Sequence, residues 1–418
     1  MIVIVGTLDT KGDKIAYLKR LIEAKGGKTL VIDSGVLGIP FFQADIPREK
    51  VAKMAGRSLD EISSLGDEAE AIKIMSQGTS KIVDELHSSG KLDGLISVGG
   101  TMGTSLFLSV ANHLPIGVPK VMFSTVAFSS FVKPTLIPPD LLIVPAVSDI
   151  WGLNSLTRRM LENAAGAILG ATQMYKEGEN LTGKTFTAIT TLGTSALKYI
   201  LWLKPSLEKL GNEVALFHVG GGQGWAFEQL VRQGIIKGVL DLCLMDLCPS
   251  SVTSRGFVNV PGRLEAAMER SIPQVVAPGA LDFYAWPGSL DTLPKGFRRR
   301  RRHQHNELDW VVERSLEEVA VTAELIAAKL NKGVGPRAVV IPKLGFSEWD
   351  KLGGIFYHPE RSKVFSQALK AKLGPEVRVV ELNMHINDQS FADEVANLFS
   401  LLIGSARDPS CTPTGRRH

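Results

Sequence analysis

Residues 95–106, Leu-Ile-Ser-Val-Gly-Gly-Thr-Met-Gly-Thr-Ser-Leu, contain the features that decide the fold class. The segment is typical of a buried strand, a glycine-rich turn and the first turn of a helix, the junction at which α/β proteins hold phosphate. Its glycines allow the backbone to bend sharply and a ligand to approach closely. The G-G-x-x-G spacing matches neither the Walker A sequence nor the G-x-G-x-x-G dinucleotide pattern. A tight turn that binds nothing therefore remains the alternative.

The length and composition indicate a soluble globular protein with two domains. The chain has 418 residues, more than one hydrophobic core ordinarily organises. Of these residues, 44% are hydrophobic and 22% are charged. The net charge is +4, but five consecutive arginines at 298–302 account for it, and without them the charge is −1. Such a run most often forms an exposed loop face, and its functional alternative is an anion or nucleotide clamp at the domain interface. Because the basic charge is local, we do not expect a nucleic-acid partner.

The cysteines and the N-terminus favour a cytoplasmic protein. The spacing of the three cysteines, Cys243, Cys248 and Cys411, suggests neither a disulfide framework nor a zinc site. The chain begins directly with an apolar strand-like run and has no apolar run of membrane-spanning length. We therefore expect neither secretion nor a membrane partner.

Apolar segments predict an N-terminal α/β domain at residues 1–177. Short β-branched runs without alternation are typical of parallel strands buried on both faces, and each ends in small or hydroxyl residues. Helical periodicity predicts long helices at 67–87 and 154–175, while residues 35–53 form an excursion over the sheet edge. The predicted strands are 2–5, 29–33, 94–98, 120–123 and 141–144.

A second α/β domain is predicted at residues 181–404, followed by a disordered tail at 405–418. Its helices include a long one at 308–330, and a glycine turn at 220–224 mirrors the one at 99–103. The predicted fold class is thus α/β with two domains, each a mostly parallel Rossmann-like sheet flanked by helices. The strands of the second domain are 185–190, 214–218, 239–244, 274–277, 338–341 and 377–381.

The turn after the first strand supplies candidate phosphate and magnesium ligands. Thr7, Asp9, Thr10 and Lys11 follow the strand directly, and in a parallel sheet this turn can lie beside the glycine turn of 99–103. Lys11 could neutralise a phosphate, and Asp9 or Asp149 could hold Mg²⁺. In the alternative, Asp9 and Thr10 only cap the helix and Lys11 is solvated.

Other strand ends carry further candidates. Asp33 follows the second strand, where an acid takes ribose hydroxyls in dinucleotide folds. Ser124 and Thr125 are candidate phosphate or base contacts, or hydroxyls that satisfy loop backbone.

In the second domain, His303 and His305 form a candidate metal pair. Histidines at i and i+2 on an extended segment point the same way, and Asp246, Asp282 or His218 could complete a site. Solvated or helix-capping histidines are the alternative.

Taken together, nine motifs resemble the Tm-one-like ATP-binding family, which includes a tobamovirus-resistance protein of tomato and bacterial proteins of unassigned activity. The similarity covers residues 1–404. The second domain has Leu-Cys-Pro-Ser-Ser at residues 247–251, where the family pattern has a Thr-Thr-x-Glu segment. We therefore carry over no activity of that domain. The motifs lie at residues 6–12, 99–104, 123–127, 149–154, 217–218, 262–264, 273–276, 279–282 and 303–306.

The resemblance implies a two-domain protein that forms homodimers and whose N-terminal domain binds ATP with magnesium. Carried over by position, the nucleotide site comprises Thr7, Asp9, Thr10, Lys11, Gly99, Gly100, Thr101, Gly103, Thr104, Ser124, Thr125, Asp149 and Asn154.

Two functions are compatible with these residues. In the first, an enzyme uses ATP and Mg²⁺ for phosphoryl transfer or ligation on a small anionic metabolite in the cleft between the domains. In the second, a non-catalytic module uses ATP to control binding to a protein partner. Both need the same phosphate-binding turns.

Overall fold

A computed structural model of the chain describes residues 1–133, 136–178, 184, 186–221, 223–253, 257, 259–260 and 262–407. The chain forms two compact units, Met1–Asn180 (unit 1) and Leu181–His418 (unit 2). Four sequence predictions fall outside the described residues, in whole or in part: the domain boundary between residues 177 and 181, the start of the strand at 185, the middle of the second glycine turn, and the tail from residue 408 onward.

Unit 1 is built on a five-stranded sheet. The strands are β1 Ile2–Gly6, β2 Thr29–Asp33, β3 Gly94–Gly99, β4 Lys120–Ser124 and β5 Leu141–Pro145. Their order is β2-β1-β3-β4-β5, and every neighbouring pair is parallel. All residues of β1, β3 and β4 are buried, as expected for strands covered on both faces.

Helices cover both faces of this sheet. One core joins the sheet to α1 and α6, and another joins it to α2, α3, α4 and α5. The Asp67 side chain accepts hydrogen bonds from the first-turn amides of α4, and Asn154 does the same for α6, which fixes where both helices begin. The helices are α1 Leu8–Ala24, α2 Arg48–Met54, α3 Leu59–Ser63, α4 Glu68–Ser88, α5 Thr101–Ala111 and α6 Ser155–Glu177.

Unit 2 contains a six-stranded parallel sheet and a smaller antiparallel one. The strands are β6 Phe186–Thr191, β7 Glu213–His218, β8 Ile236–Cys243, β9 Gln274–Gly279, β10 Phe283–Pro287, β11 Arg302–Gln304, β12 Asp309–Glu313, β13 Arg337–Pro342 and β14 Arg378–Leu382. The large sheet has the order β14-β13-β9-β8-β6-β7, and the small one β10-β12-β11. Counted within the large sheet, the first five strands have the same order as in unit 1. The predicted α/β class with parallel sheets is confirmed.

The helix predicted at 308–330 is wrong over its first third. Residues of β12 pair with β10 and β11 instead, because Trp310, Val311 and Val312 favour a strand. The helix begins only after Ser315, which forms a capping box with Glu318.

Helices cover both faces of the large sheet of unit 2, with α7 and α13 in one core and α11 and α12 in another. Cys243 and Cys248 are buried. None of the helices in the described ranges has the length and apolar character needed to cross a bilayer. The helices are α7 Ile200–Lys209, α8 Gln223–Arg232, α9 Ser250–Thr253, α10 Ala266–Glu269, α11 Leu316–Leu330, α12 Arg361–Lys372 and α13 Gln389–Arg407.

Candidate functional site

A cleft of about 630 Å³ opens in unit 1 where β1 and β3 end. This is the point at which the strand order reverses, because β2 lies on one side of β1 and β3 on the other. The connections that leave β1 and β3 run to helices on opposite faces, so a crevice remains between them. The predicted proximity of the two turns is therefore found in the structure. Eight predicted site residues line the cleft: Thr7, Asp9, Thr10, Lys11, Gly99, Gly100, Thr101 and Gly103.

Two helix N-termini border the cleft. The N-cap of α1, Thr7, makes no side-chain capping bond, and the N-cap of α5 is Gly100, which has no side chain to offer. In α1 the Leu8 amide is already bound by Asp33 Oδ1 at 3.0 Å. The first-turn amides of α5 have no side-chain cap, so they are donors for an external anion, and the helix dipole favours negative charge at the same point.

Gly99 is required by the close approach of the turn to α5. A Cβ added at Gly99 would lie 2.8 Å from the Cα of Gly103, whereas one added at Gly100 would lie 3.5 Å from the hydroxyl oxygen of Thr125. The first distance is a clash with backbone, and the second is an ordinary contact. Gly99 is therefore the glycine on which the shape of the cleft floor depends.

The charged groups of the cleft differ in how they are already bonded. Lys11 is half-buried, and its side chain has no ion pair or hydrogen bond within the described part of the chain. Asp9 accepts a hydrogen bond from the Leu37 amide through Oδ2 at 2.8 Å, while its buried Oδ1 has no partner there. The Asp67 carboxylate is occupied by two amides of α4. Lys11 and Asp9 Oδ1 thus keep bonding capacity for a ligand.

One wall of the cleft is apolar. Arg48 holds the loop that carries part of this wall, donating to the carbonyl oxygens of Leu37 and Gly38 at 2.7 and 2.9 Å. An apolar wall opposite polar turns suits a ligand with one hydrophobic and one charged end. The apolar lining side chains are Val36, Leu37, Ile62, Ala71 and Ile72.

Five predicted site residues do not line the cleft. Thr104 and Ser124 are buried and share a hydrogen bond of 2.7 Å between their hydroxyls. Asn154 caps α6 through Thr157, and Asp149 is exposed beyond β5, two strands away from β3. Thr125 comes nearest, beside the Gly100 backbone.

Asp33, predicted to contact a ribose, does not line the cleft and is bonded to backbone amides of the fold. Its Oδ1 accepts hydrogen bonds from the amides of Leu8 at 3.0 Å and Gly35 at 2.9 Å. Burial raises its pKa, and these two bonds oppose that shift. The carboxyl group joins the ends of β1 and β2 beneath the cleft.

In unit 2, a buried charge network lies beside the ends of β6 and β8, the pair that corresponds to β1 and β3. Arg263 donates to Asp241 at 2.7 Å, to Asp246 at 2.9 Å and to Glu228 at 3.1 Å. Thr190 of β6 donates to Asp241 at 2.9 Å. Sequence reasoning missed this network because its members come from four separate segments and no local pattern marks them.

Two carboxyl groups of this network, those of Glu228 and Asp246, have raised pKa values. Burial raises the pKa of Glu228 to about 7 and that of Asp246 to about 6, and the attraction of Arg263 opposes both shifts. Three carboxylates around one guanidinium carry excess negative charge in a low-dielectric environment, so protonation of a carboxylate relieves the repulsion between them.

The predicted histidine metal site is not assembled. His303 and His305 are exposed and lie with their ring centroids 5.8 Å from that of Trp349, whereas Asp246 is bound to Arg263. Across the described ranges, no group of three or more His, Cys, Asp or Glu side chains is arranged to hold a metal ion.

The arginine run is partly structural. Arg300 pairs with Glu318 at 2.6 Å and Arg301 with Glu313 at 3.0 Å, while Arg298 donates to the Leu293 carbonyl at 2.7 Å. These bonds attach the run to unit 2 itself, so most of its charge is used within the fold.

Comparison with known proteins gives matches over nearly the whole chain. Two family models match, described as Uncharacterised protein family (UPF0261) N-terminal domain over residues 1–177 and C-terminal domain over residues 184–403. A UPF0261 protein of Clostridium tetani is 37% identical over 401 residues, covering 94% of this chain and 97% of that protein. A UPF0261 protein of Brucella melitensis is 35% identical over 401 residues, covering 95% and 94%.

The tomato ToMV resistance protein Tm-1(GCR237) also matches. It is 32% identical over 430 residues, which cover 98% of this chain and 56% of the tomato protein. The resemblance predicted from the nine motifs is confirmed by this match.

Proposed function

The chain belongs to the UPF0261 family, and from that premise we propose that unit 1 binds ATP with Mg²⁺ in the cleft between the ends of β1 and β3. One observation carries the proposal. The N-terminus of α5, which has no side-chain cap, and Lys11, whose side chain has no partner in the described part of the chain, border a cleft that also has an apolar wall. These are the donors that a polyphosphate needs, next to a surface that an adenine ring can cover.

The phosphates are proposed to lie along the first turns of α1 and α5. The amides of residues 101–103 and the ammonium group of Lys11 would neutralise their charge, and the hydroxyls of Thr7 and Thr10, which share a bond of 2.7 Å, would add further donors. The adenine would lie against Ile62 and Ile72. Each group acts by position and charge alone, which is how phosphate sites of this kind work.

Asp9 fits the role of magnesium ligand better than Asp149. Mg²⁺ is commonly held by one or two carboxylates together with phosphate oxygens and water. Asp9 lines the cleft and its buried Oδ1 lacks a partner in the described part of the chain. Asp149 is exposed, and its Oδ1 accepts a bond from the Ile150 amide at 2.7 Å. Mg²⁺ would supply further charge neutralisation on the phosphates.

The test is calorimetric titration of the full chain with ATP, with and without Mg²⁺. Lys11→Ala removes one charge-assisted bond to phosphate, so we expect binding to weaken by about ten- to hundredfold. Lys25→Ala is the matched control, because Lys25 is exposed at the opposite end of the same helix, and it should bind like the native chain.

A second variant tests the glycine turn without a change of charge. A Cβ at Gly103 would meet only the Val98 carbonyl oxygen at 3.6 Å, so Gly103→Val should fold normally while its methyl groups occupy the phosphate position. Binding should then be lost. Absence of heat from the native chain, or equal affinity in Gly103→Val, would remove the proposal.

Incubation of the ATP-loaded chain with a metabolite extract separates catalysis from a non-catalytic role. Formation of ADP or AMP together with a new phosphorylated or ligated product supports an enzyme of phosphoryl transfer or ligation. Nucleotide that stays bound and intact supports the module in which ATP controls association with a protein.

A further inference from the structure

Unit 2 has a cavity of its own, of about 590 Å³, beyond the carboxyl ends of β13 and β14. Its wall comes from four separate places in the sequence: residue 198, the loop 343–352 after β13, residues 357–362 before and within α12, and residues 385–388 after β14. Parallel sheets bind ligands at this edge, and the volume suits a small metabolite. We propose that this cavity binds a small anion, a carboxylate or a phosphate ester, independently of the nucleotide cleft in unit 1.

Two of the carboxylates in the wall, those of Glu348 and Asp350, are already neutralised. Glu348 forms ion pairs with Lys198 at 3.2 Å and with Lys351. Asp350 is buried and pairs with Arg361, which is also buried. These two acids therefore have little capacity left to attract a cation or to repel an anion.

The buried His385 is held neutral by its neighbours. Its Nε2 donates to the Ser347 carbonyl oxygen at 3.0 Å, and its Nδ1 accepts from the Asn387 amide at 3.1 Å. Protonation of Nδ1 would place two donors face to face. Burial also lowers the pKa of His385. The exposed Asp388 carboxylate accepts from the His385 amide at 2.7 Å through Oδ2, and within the described residues it has no ion pair.

Apart from the Asp388 carboxylate, the bonding capacity that remains in the wall belongs to donors. The ammonium group of Lys343 and the hydroxyl of Tyr357 have no hydrogen bond or ion pair within the described residues. His358 Nδ1 accepts from the Glu360 amide at 3.3 Å, which leaves the proton of the neutral ring on Nε2. A cationic group, a hydroxyl and an imidazole N–H around one cavity select a ligand rich in acceptor oxygens.

Gly345 keeps the loop after β13 in the shape that forms this wall. Its φ is +138°, and a Cβ there would lie 1.8 Å from the Asp350 carbonyl oxygen. Only glycine can occupy the position. The loop is therefore fixed by backbone contacts, and the Lys343 side chain can be changed without disturbing it, because that side chain is exposed.

The experiment is titration of the full chain with glycerol 3-phosphate and, separately, with citrate, at low ionic strength and up to millimolar concentration. We expect heat from at least one probe, and a loss of affinity of about tenfold or more in Lys343→Met. Lys332→Met is the matched control, since Lys332 is an exposed lysine of the same unit, and it should leave binding unchanged. Tyr357→Phe should give a smaller loss.

The choice of probes separates the two sources of the anion. Heat from glycerol 3-phosphate alone assigns a phosphate ester, and heat from citrate alone assigns a carboxylate. The same titrations in Lys11→Ala should match the native chain, which keeps the result separate from the nucleotide proposal. No heat from either probe, or equal affinities in Lys343→Met and the native chain, would overturn the inference.

Discussion

The two units share the order of their first five strands, yet they differ at the point where that order reverses. In unit 1 the ends of β1 and β3 border an open cleft of about 630 Å³. In unit 2 the ends of β6 and β8 adjoin Arg263 and three carboxylates, whose side chains are at most 1% exposed. Strand order thus determines where a crevice can form, and the side chains decide whether it remains open to a ligand.

The two units also differ in whether the charged side chains at this point are already bonded within the protein. In unit 1, Lys11 has no partner among the residues that the structure describes. Unit 2 surrounds a guanidinium with acids at the equivalent position, and its cavity lies further along the sheet, beyond β13 and β14. A charge that is fully bonded inside the protein stabilises a fold but has nothing left for a ligand. The predictions below test this division, beginning with the largest expected effect.

Arg263→Met should destabilise unit 2 by about 3–5 kcal/mol, because it leaves three buried carboxylates without a counter-charge. Urea unfolding followed by tryptophan fluorescence measures this, since five of the six tryptophans lie in unit 2. Arg232→Met is the control. It breaks a pair with Glu269 whose side chains are 28% and 50% exposed, so it should cost less than about 1 kcal/mol. Equal losses in the two variants would contradict the structural role of the network.

The pH dependence of unit 2 follows from Glu228. Its pKa rises from 4.5 unfolded to about 7 folded, so the folded state binds the proton more tightly. This contribution is fully present below pH 4.5 and is lost as the pH rises through about 7, by on the order of 1–3 kcal/mol. Glu228→Gln mimics the protonated group and should flatten this part of the stability curve. A native curve that rises steadily over the same interval, unchanged in Glu228→Gln, would show that the assignment is wrong.

In unit 1, the stability of the turn after β3 should depend on backbone packing and not on charge. Gly99→Ala forces a Cβ against Gly103 at 2.8 Å and should cost about 1–3 kcal/mol, together with weaker ATP binding. Gly100→Ala meets only an ordinary contact at 3.5 Å and should be nearly neutral. Hydrogen exchange of β3 and α5 reports both variants. If Gly100→Ala accelerates exchange as much as Gly99→Ala, the cleft floor does not depend on Gly99 in the way described.

Much of unit 1 was predictable, because its information is local. Continuous runs of β-branched residues predicted all five strands to within one residue at each end, and Asp67 and Asn154 marked the starts of α4 and α6. The cleft followed from the same logic, since parallel strands place their following turns along one edge. Of the five site residues that lie outside the cleft, Ser124, Thr125 and Asp149 were predicted from their positions after strands. Asp149 lies beyond β5, two strands from β3, and the hydroxyls of Thr104 and Ser124 bond to each other.

What the sequence could not reveal depends on partners that are distant along the chain. Arg263 meets acids 17 to 35 residues away, and the cavity of unit 2 is assembled from four segments. The small antiparallel sheet was missed because residues of β12 run directly into a helical pattern. A signal was present there: the Ser315 and Glu318 capping box shows that the helix begins only after β12.

That capping box gives the smallest of the expected effects and a direct comparison between the units. Ser315 begins the 15-residue α11 and accepts from the Glu318 amide at 3.2 Å, and Ser58 does the same for the five-residue α3 of unit 1 through Glu61. Ser315→Ala should cost about 1 kcal/mol, because α11 packs its buried face on the large sheet and its loss is felt throughout that core. Ser58→Ala should cost about 0.5 kcal/mol, since α3 is short, and its cap is exposed.

Urea unfolding measures the cost of Ser315→Ala, and hydrogen exchange of α3 measures that of Ser58→Ala. A larger cost for Ser58→Ala would mean that α3, which supplies Ile62 to the cleft wall, is more tightly coupled to unit 1 than its exposed cap indicates.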